Sequence, residues 1–205
     1  MTKKLAFIKP CLDDKLARVG GAALIGGIVA WPATQDGHPL TLLMSLPTEF
    51  LNRNAGVSLP SGKIISVFSY YAQDEYFLDC ITYHGSQEEL DWLRRGFTRV
   101  LLHPPGGVMS SAEELPPMEL EIEDAHSTPA DTYGGSKIGG TPTLLQAEPL
   151  ALGDEKFALQ VYGGSFPAGH RGVLGLSDAV GYLFINESKA RNGELDVGTF
   201  FVQVT

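Results

Sequence analysis

Lys137-Ile138-Gly139-Gly140-Thr141, followed by Phe157-Ala158-Leu159-Gln160-Val161 and then Gly181-Tyr182-Leu183-Phe184-Ile185, is the run of the chain that decides its fold. It sets a glycine pair, an apolar strand and a glycine-led strand in that order. The first half keeps the same order in Arg18-Val19-Gly20-Gly21-Ala22, Leu42-Leu43-Met44-Ser45-Leu46 and Gly62-Lys63-Ile64-Ile65-Ser66-Val67-Phe68. Recurrence at a little over half the chain predicts an internal duplication whose halves share one core, because each half alone buries too little apolar surface. The expectation is one domain over residues 1–205, with halves of approximately 1–105 and 118–205, in an α+β fold that is predominantly antiparallel β.

Working outward, 24 glycines and 13 prolines cut the chain into short pieces, the mark of many strands joined by irregular turns. Strands are predicted at Leu40 to Leu46, Ile64 to Tyr71, Tyr76 to Tyr83, Thr98 to Leu102, Phe157 to Val161, Gly181 to Ile185 and Thr199 to Val204. Met118-Glu119-Leu120-Glu121-Ile122-Glu123 alternates with period two, which turns the apolar residues inward and gives one strongly negative face. The best helix is Ser86 to Arg95. Ser86 is placed to cap it, Glu88 and Glu89 lie in its first turn, Arg94 and Arg95 in its last, and Gly96 stops it. A shorter helix is predicted near Ser188 to Asn192.

With 43% apolar residues in 205, the chain can build a core without staples. Cys11 and Cys80 are too few for a disulfide framework or a zinc site, and they read as reduced thiols of a cytoplasmic protein. After the basic start only four apolar residues follow before Lys9 and Pro10, too short a run for a signal peptide, and no stretch is long enough to cross a bilayer. The net charge of −9 is concentrated in the middle: residues 71 to 135 carry three basic and thirteen acidic side chains. Glu113 to Asp131 holds seven carboxylates and no Lys or Arg, which would repel phosphate backbones and attract basic surfaces. Nucleic acid is therefore not the expected partner.

No motif for chemistry emerges. Gly134-Gly135-Ser136-Lys137 lacks the Walker order, Gly20-Gly21 and Gly26-Gly27 lack dinucleotide spacing, and Ser136 and Ser165 lack the second glycine of a nucleophile elbow. The five histidines are scattered singly. Asp124-Ala125-His126 with Asp131 reads as a solvated acidic loop rather than a metal site. No catalytic residue, metal or cofactor is expected. Gln146 and Gln160 interrupt apolar surroundings, so each either satisfies buried backbone groups or lines a pocket between the halves.

Ser136-Lys137-Ile138-Gly139-Gly140-Thr141-Pro142 with Gln146, Phe157 to Val161, Gly181 to Ile185 and Gln203 resembles the C-terminal half of the YwqG-like bacterial proteins, a family of unknown function. The first half is similar in order through Gly20-Gly21, Trp31-Pro32, Pro39 to Leu43 and Gly62-Lys63-Ile64, but Ser45 stands where the family has a glutamine. The resemblance implies an antiparallel α+β fold of two similar halves and no established catalytic residues. Some relatives are similar to immunity proteins that neutralise polymorphic toxins. Two functions follow as expectations. One is a cytoplasmic, non-enzymatic immunity-type protein whose acidic strip, Glu113, Glu114, Glu119, Glu121, Glu123 and Asp124, steers a basic toxin domain. The alternative is a small-molecule-binding or enzymatic domain with a pocket between the halves. A deep pocket with convergent polar groups and perturbed titration would favour the second.

Overall fold

In the computed structural model, residues 2–11, 13, 15–110, 114–123, 134–146 and 148–205 are described. Among these residues, ten strands form one sheet: β1 (Lys3–Pro10), β2 (Arg18–Val19), β4 (Thr41–Pro47), β5 (Ile64–Ser69), β6 (Thr98–His103), β8 (Met118–Glu123), β9 (Lys137–Ile138), β10 (Lys156–Tyr162), β11 (Val180–Ile185) and β12 (Gly198–Gln203). A separate two-stranded ribbon joins β3 (Ala23–Ile25) to β7 (Gly107–Met109). The order across the large sheet is β12-β11-β10-β9-β1-β8-β2-β4-β5-β6, and its strand pairs are antiparallel. β1 lies between β8 and β9, and β8 lies between β1 and β2. The N-terminal strand is thus inserted among those of the C-terminal half.

The two ends of this sheet meet. Leu102 N–H donates to the Leu195 carbonyl at 2.8 Å, Val197 N–H to the Val100 carbonyl at 2.9 Å, and the Thr98 hydroxyl to the Phe200 carbonyl at 2.7 Å. β6 and β12 therefore cover one another's open edges, and the sheet is nearly closed into a barrel. Period-two alternation then gives each strand two apolar faces. Val19, Met44, Leu46, Val67 and Val100 join Leu159, Val161, Leu183 and Val202 in one cluster, which we read as the inside. The alternate residues build two further clusters. Leu40, Leu42, Phe68 and Leu101 lie with Trp31, and Phe157, Tyr182, Phe184 and Phe201 lie with Tyr83 and Leu90. Burying each such side chain contributes about 1.5–3 kcal/mol, so the core is assembled from residues contributed by both halves of the chain.

The glycine pairs have a shared geometry. Gly20 and Gly21 have φ of 66° and 76°, and Gly139 and Gly140 have 72° and 73°, the left-handed region that a β-carbon disfavours. Gly20 N–H donates to the Leu43 carbonyl at 2.9 Å and Gly139 N–H to the Ala158 carbonyl at 2.8 Å. Leu43 and Ala158 are the residues at which the β4/β5 and β10/β11 registers shift. In each half, the first glycine thus fastens a bulge.

α3 (Gln87–Trp92) begins with a capping box in which Ser86 and Glu89 bond reciprocally, and it passes into a π-turn over Leu93–Phe97 that Gly96 ends at φ 95°. α4 (Glu187–Arg191) is capped by Asn186, which accepts from the backbone N–H groups of Ser188 and Lys189. Tyr76 to Tyr83, expected as a strand, instead contains the one-turn helix α2 (Leu78–Ile81). Leu78 and Ile81 are buried three residues apart while Asp79 is exposed, a helical spacing that the aromatic and β-branched content of the segment obscures. α1 (Thr48–Asn54), which follows β4 directly, was not foreseen, nor was β1. No helix among the described residues is long and apolar enough to cross a membrane.

Candidate functional site

The seam where β6 meets β12 opens into a cleft of about 690 Å³. One wall is the α3 π-turn with the start of β6, which brings Arg94, Arg95 and Arg99. The opposite wall comes from the C-terminal half: Ala151 to Gly153, Glu155 before β10, Lys189 on α4, Asp196 just before β12 and Thr199 on it. Gly198 lets the strand pass there, since a β-carbon at that position would lie 2.1 Å from the Phe184 carbonyl oxygen. The cleft is therefore a product of sheet closure. Its lining residues are drawn from both halves of the chain.

Glu155 is the unusual group. Its Oε1 accepts the Thr199 hydroxyl at 3.2 Å, whereas its Oε2 is withdrawn from solvent and has no hydrogen-bond partner among the described residues. Burial pushes its pKa from 4.5 up to about 7, and the charge of Asp196 adds to the rise, while the Thr199 bond, Lys189 and Arg94 oppose it. Among the described residues, four cationic side chains and one other carboxylate line the same cleft. Arg99 Nε donates to Asp196 Oδ2 at 2.7 Å, so that pair is largely self-compensated. The guanidinium of Arg95 lies 4.5 Å from the Trp92 ring centroid, which orients it without neutralising it. Arg94 sits 3.8 Å from Asp91, with both side chains mostly exposed. Lys189 forms no ion pair within 4 Å among the described residues. In a chain of net charge −9, this is a locally positive hollow.

A buried polar network holds the cleft's loop wall. Lys137 Nζ donates to Thr143 Oγ1 at 2.7 Å, Thr143 N–H to Gln160 Oε1 at 2.9 Å, and Tyr182 Oη to the Thr143 carbonyl at 2.8 Å. Gln203 accepts from Leu145 N–H at 3.0 Å and donates to the Tyr83 carbonyl at 3.0 Å, while Tyr83 Oη accepts from Ala151 N–H at 2.8 Å. Residues 143–146 and 148–151 are thereby pinned over the outer face of the second half, ending at the cleft. On the other half, Ser66 Oγ lies 2.9 Å from His103 Nε2, and His103 Nδ1 lies 2.9 Å from the Pro104 carbonyl. A carbonyl only accepts, so Nδ1 carries the proton and Nε2 accepts from the serine. Burial holds His103 neutral by lowering its pKa, and burial acts in the same direction on His170.

Of the residues singled out from sequence, Gln160 is fully buried. It accepts from Thr143 N–H and donates to the carbonyls of Gly134 and Gly135 at 3.3 and 3.0 Å. Gln146 donates to the Val204 carbonyl at 3.3 Å. Both tie loops to strands, and neither lines the cleft. In the acidic strip, Glu119 and Glu121 share Lys9 at 3.4 and 2.9 Å, and their hydrogen bonds raise the lysine's pKa. Glu114 and Glu123 are exposed. Glu113 and Asp124, like His126 and Asp131, lie outside the described residues. Glu155 and Lys189 were missed, because no local pattern marks them and only closure of strands about a hundred residues apart brings them to Arg94 and Arg95. No group of three or more metal-ligating side chains gathers among the described residues. No family model matches the chain, and no curated protein matches it.

Proposed function

We propose that this chain is a small-molecule-binding protein whose ligand seats in the cleft at the β6/β12 seam, between the two halves. One observation carries the reading: a desolvated carboxyl oxygen of Glu155, without a protein partner among the described residues, in a hollow of about 690 Å³ lined by four cations. Such a group weakens the fold unless something else uses it, and binding sites are where that cost is retained. Native mass spectrometry of the protein taken from its own cells, beside Ala151→Trp, tests it. Retention of a small molecule by the native chain and its loss from the filled cleft is the expected result. Equal retention by both would place the ligand elsewhere.

The same proposal includes an origin by internal duplication and a YwqG-like assignment. Support comes from the matching glycine-to-bulge bonds, from the strand order running outward on both sides of β1 and β8, and from Ser45 standing opposite Arg18 as Gln160 stands opposite Lys137. Cytoplasmic location belongs with it, on the two cysteines.

An immunity-type role is the second reading, favoured by the exposure of Glu114 and Glu123. Lys9 already compensates part of the strip, so long-range steering of a basic toxin would rest on fewer charges than the sequence offers. Glu119, Glu121 and Glu123 changed together to Lys would slow association with such a partner and flatten its salt dependence; unchanged kinetics would remove the strip from that role.

A further inference from the structure

We infer that the occupant of the seam cleft is a phosphate-bearing polyanion, gripped by Arg94, Arg95 and Lys189, with one of its oxygens hydrogen-bonded to the buried Oε2 of Glu155 that has no other partner among the described residues. This rests on the cleft being a ligand site and adds what kind of ligand it takes.

The argument begins with the charges that remain once internal pairs are set aside. Arg99 and Asp196 satisfy one another at 2.7 Å. Arg95 is propped over Trp92, which leaves the edge of its guanidinium for an acceptor. Among the described residues, Arg94 has only a long, exposed pairing with Asp91 and Lys189 has no ion pair. Three positive side chains thus line a cleft with one carboxyl group outside an ion pair among the described residues. A neutral ligand would leave them without an acceptor, whereas a multiply charged anion matches their number and the planar forks of the two arginines.

Glu155 is the apparent obstacle to that assignment, and its environment removes it. As a carboxylate it would repel the ligand; as an acid, its O–H is a donor at the floor of the site. Burial and Asp196 already favour the acid, and an added anion favours it further. The groups facing it are the Thr199 hydroxyl and Asp196 from the β12 side, Lys189 from α4 and Arg94 from the π-turn. Binding above pH 7 therefore takes one proton from solvent onto Glu155, and affinity falls as pH rises.

Calorimetric titration of the whole chain with pyrophosphate, at pH 6.5 and 8.5, provides the test. Pyrophosphate titrates itself, so the quantity read is the Kd ratio between the native chain and Glu155→Gln, in which the amide keeps a donor at all pH. The native chain is expected to weaken by about 10-fold more than Glu155→Gln over that interval. Arg94→Gln with Lys189→Gln is expected to raise Kd by about 10-fold or more; both side chains lie at the surface of the cleft, and unchanged thermal unfolding confirms that the variant folds. Citrate binding more tightly than pyrophosphate would overturn the phosphate assignment in favour of a polycarboxylate. Pyrophosphate binding insensitive to the double variant, or failure of pyrophosphate while a neutral ligand binds in the cleft, would overturn the polyanion inference and leave the cleft standing. Failure of every ligand class in the native chain would overturn the cleft itself.

Discussion

Replacing Glu155 by Gln should stabilise the protein, and only above the pH at which glutamate ordinarily ionises. The carboxyl's pKa rises from 4.5 to about 7 on folding. Because the folded state binds the proton more tightly than the unfolded chain, the stabilising contribution is complete below pH 4.5 and disappears as pH climbs through 7. Each pH unit of that interval is worth about 1.36 kcal/mol, which sets a ceiling of ~3 kcal/mol. The residue is only partly buried, so screening lowers the expected figure to about 2 kcal/mol. Urea unfolding of both proteins at pH 5, 6, 7 and 8 reads it directly, with equal m-values as the check that only stability has changed. Taking the difference between the two proteins cancels the histidines, which titrate in the same range. The variant should be about 2 kcal/mol more stable at pH 8 and within about 0.5 kcal/mol of native at pH 5. A difference that does not change with pH would show that Glu155 is not desolvated and would take its place in the cleft with it.

Other outcomes follow from the same geometry. His103 and His170 are held neutral by burial, so their contribution is present above their ordinary pKa of 6.5 and is lost as pH falls through their lowered values; native stability should decline there, and His103→Gln should soften the decline. Gly20→Ala puts a β-carbon 2.7 Å from the carbonyl oxygens of Leu115 and Pro116 at φ 66°, and chemical denaturation should show a loss of about 2 kcal/mol or more. Gln203→Leu strands the Leu145 N–H and the Tyr83 carbonyl; a loss of about 2 kcal/mol is expected, together with faster hydrogen exchange over residues 143–146 and 148–151.

How much of this was legible in the chain depends on the range of the interaction. Local chemistry was readable: Ser86 with Glu89 marks a helix start, Gly96 a stop, and the alternation over Met118 to Glu123 a strand that the structure places over those same residues. Tyr76 to Tyr83 misled because aromatic and β-branched residues favour strands by packing, and here Leu78 and Ile81 find their packing on one helical turn instead. β2 and β9 are two residues each, too short for any periodicity. The cleft was illegible for a different reason. Arg94 and Arg95 read as helix-end charges, and no local pattern marks Glu155. Their convergence exists only because Val100 and Leu102 pair with Val197 and Leu195 across the seam.

The central claim is that the seam cleft holds a ligand, and backbone amide NMR of the labelled chain titrated with a library of small metabolites at pH 6.5 tests it most directly. The account predicts saturable shifts confined to Arg94, Arg95, Gly96, Gly153, Glu155 and Gly198, on both walls at once. Saturable shifts confined to another surface, such as the acidic strip at Glu114 to Glu123, or no saturable shift anywhere, would contradict it.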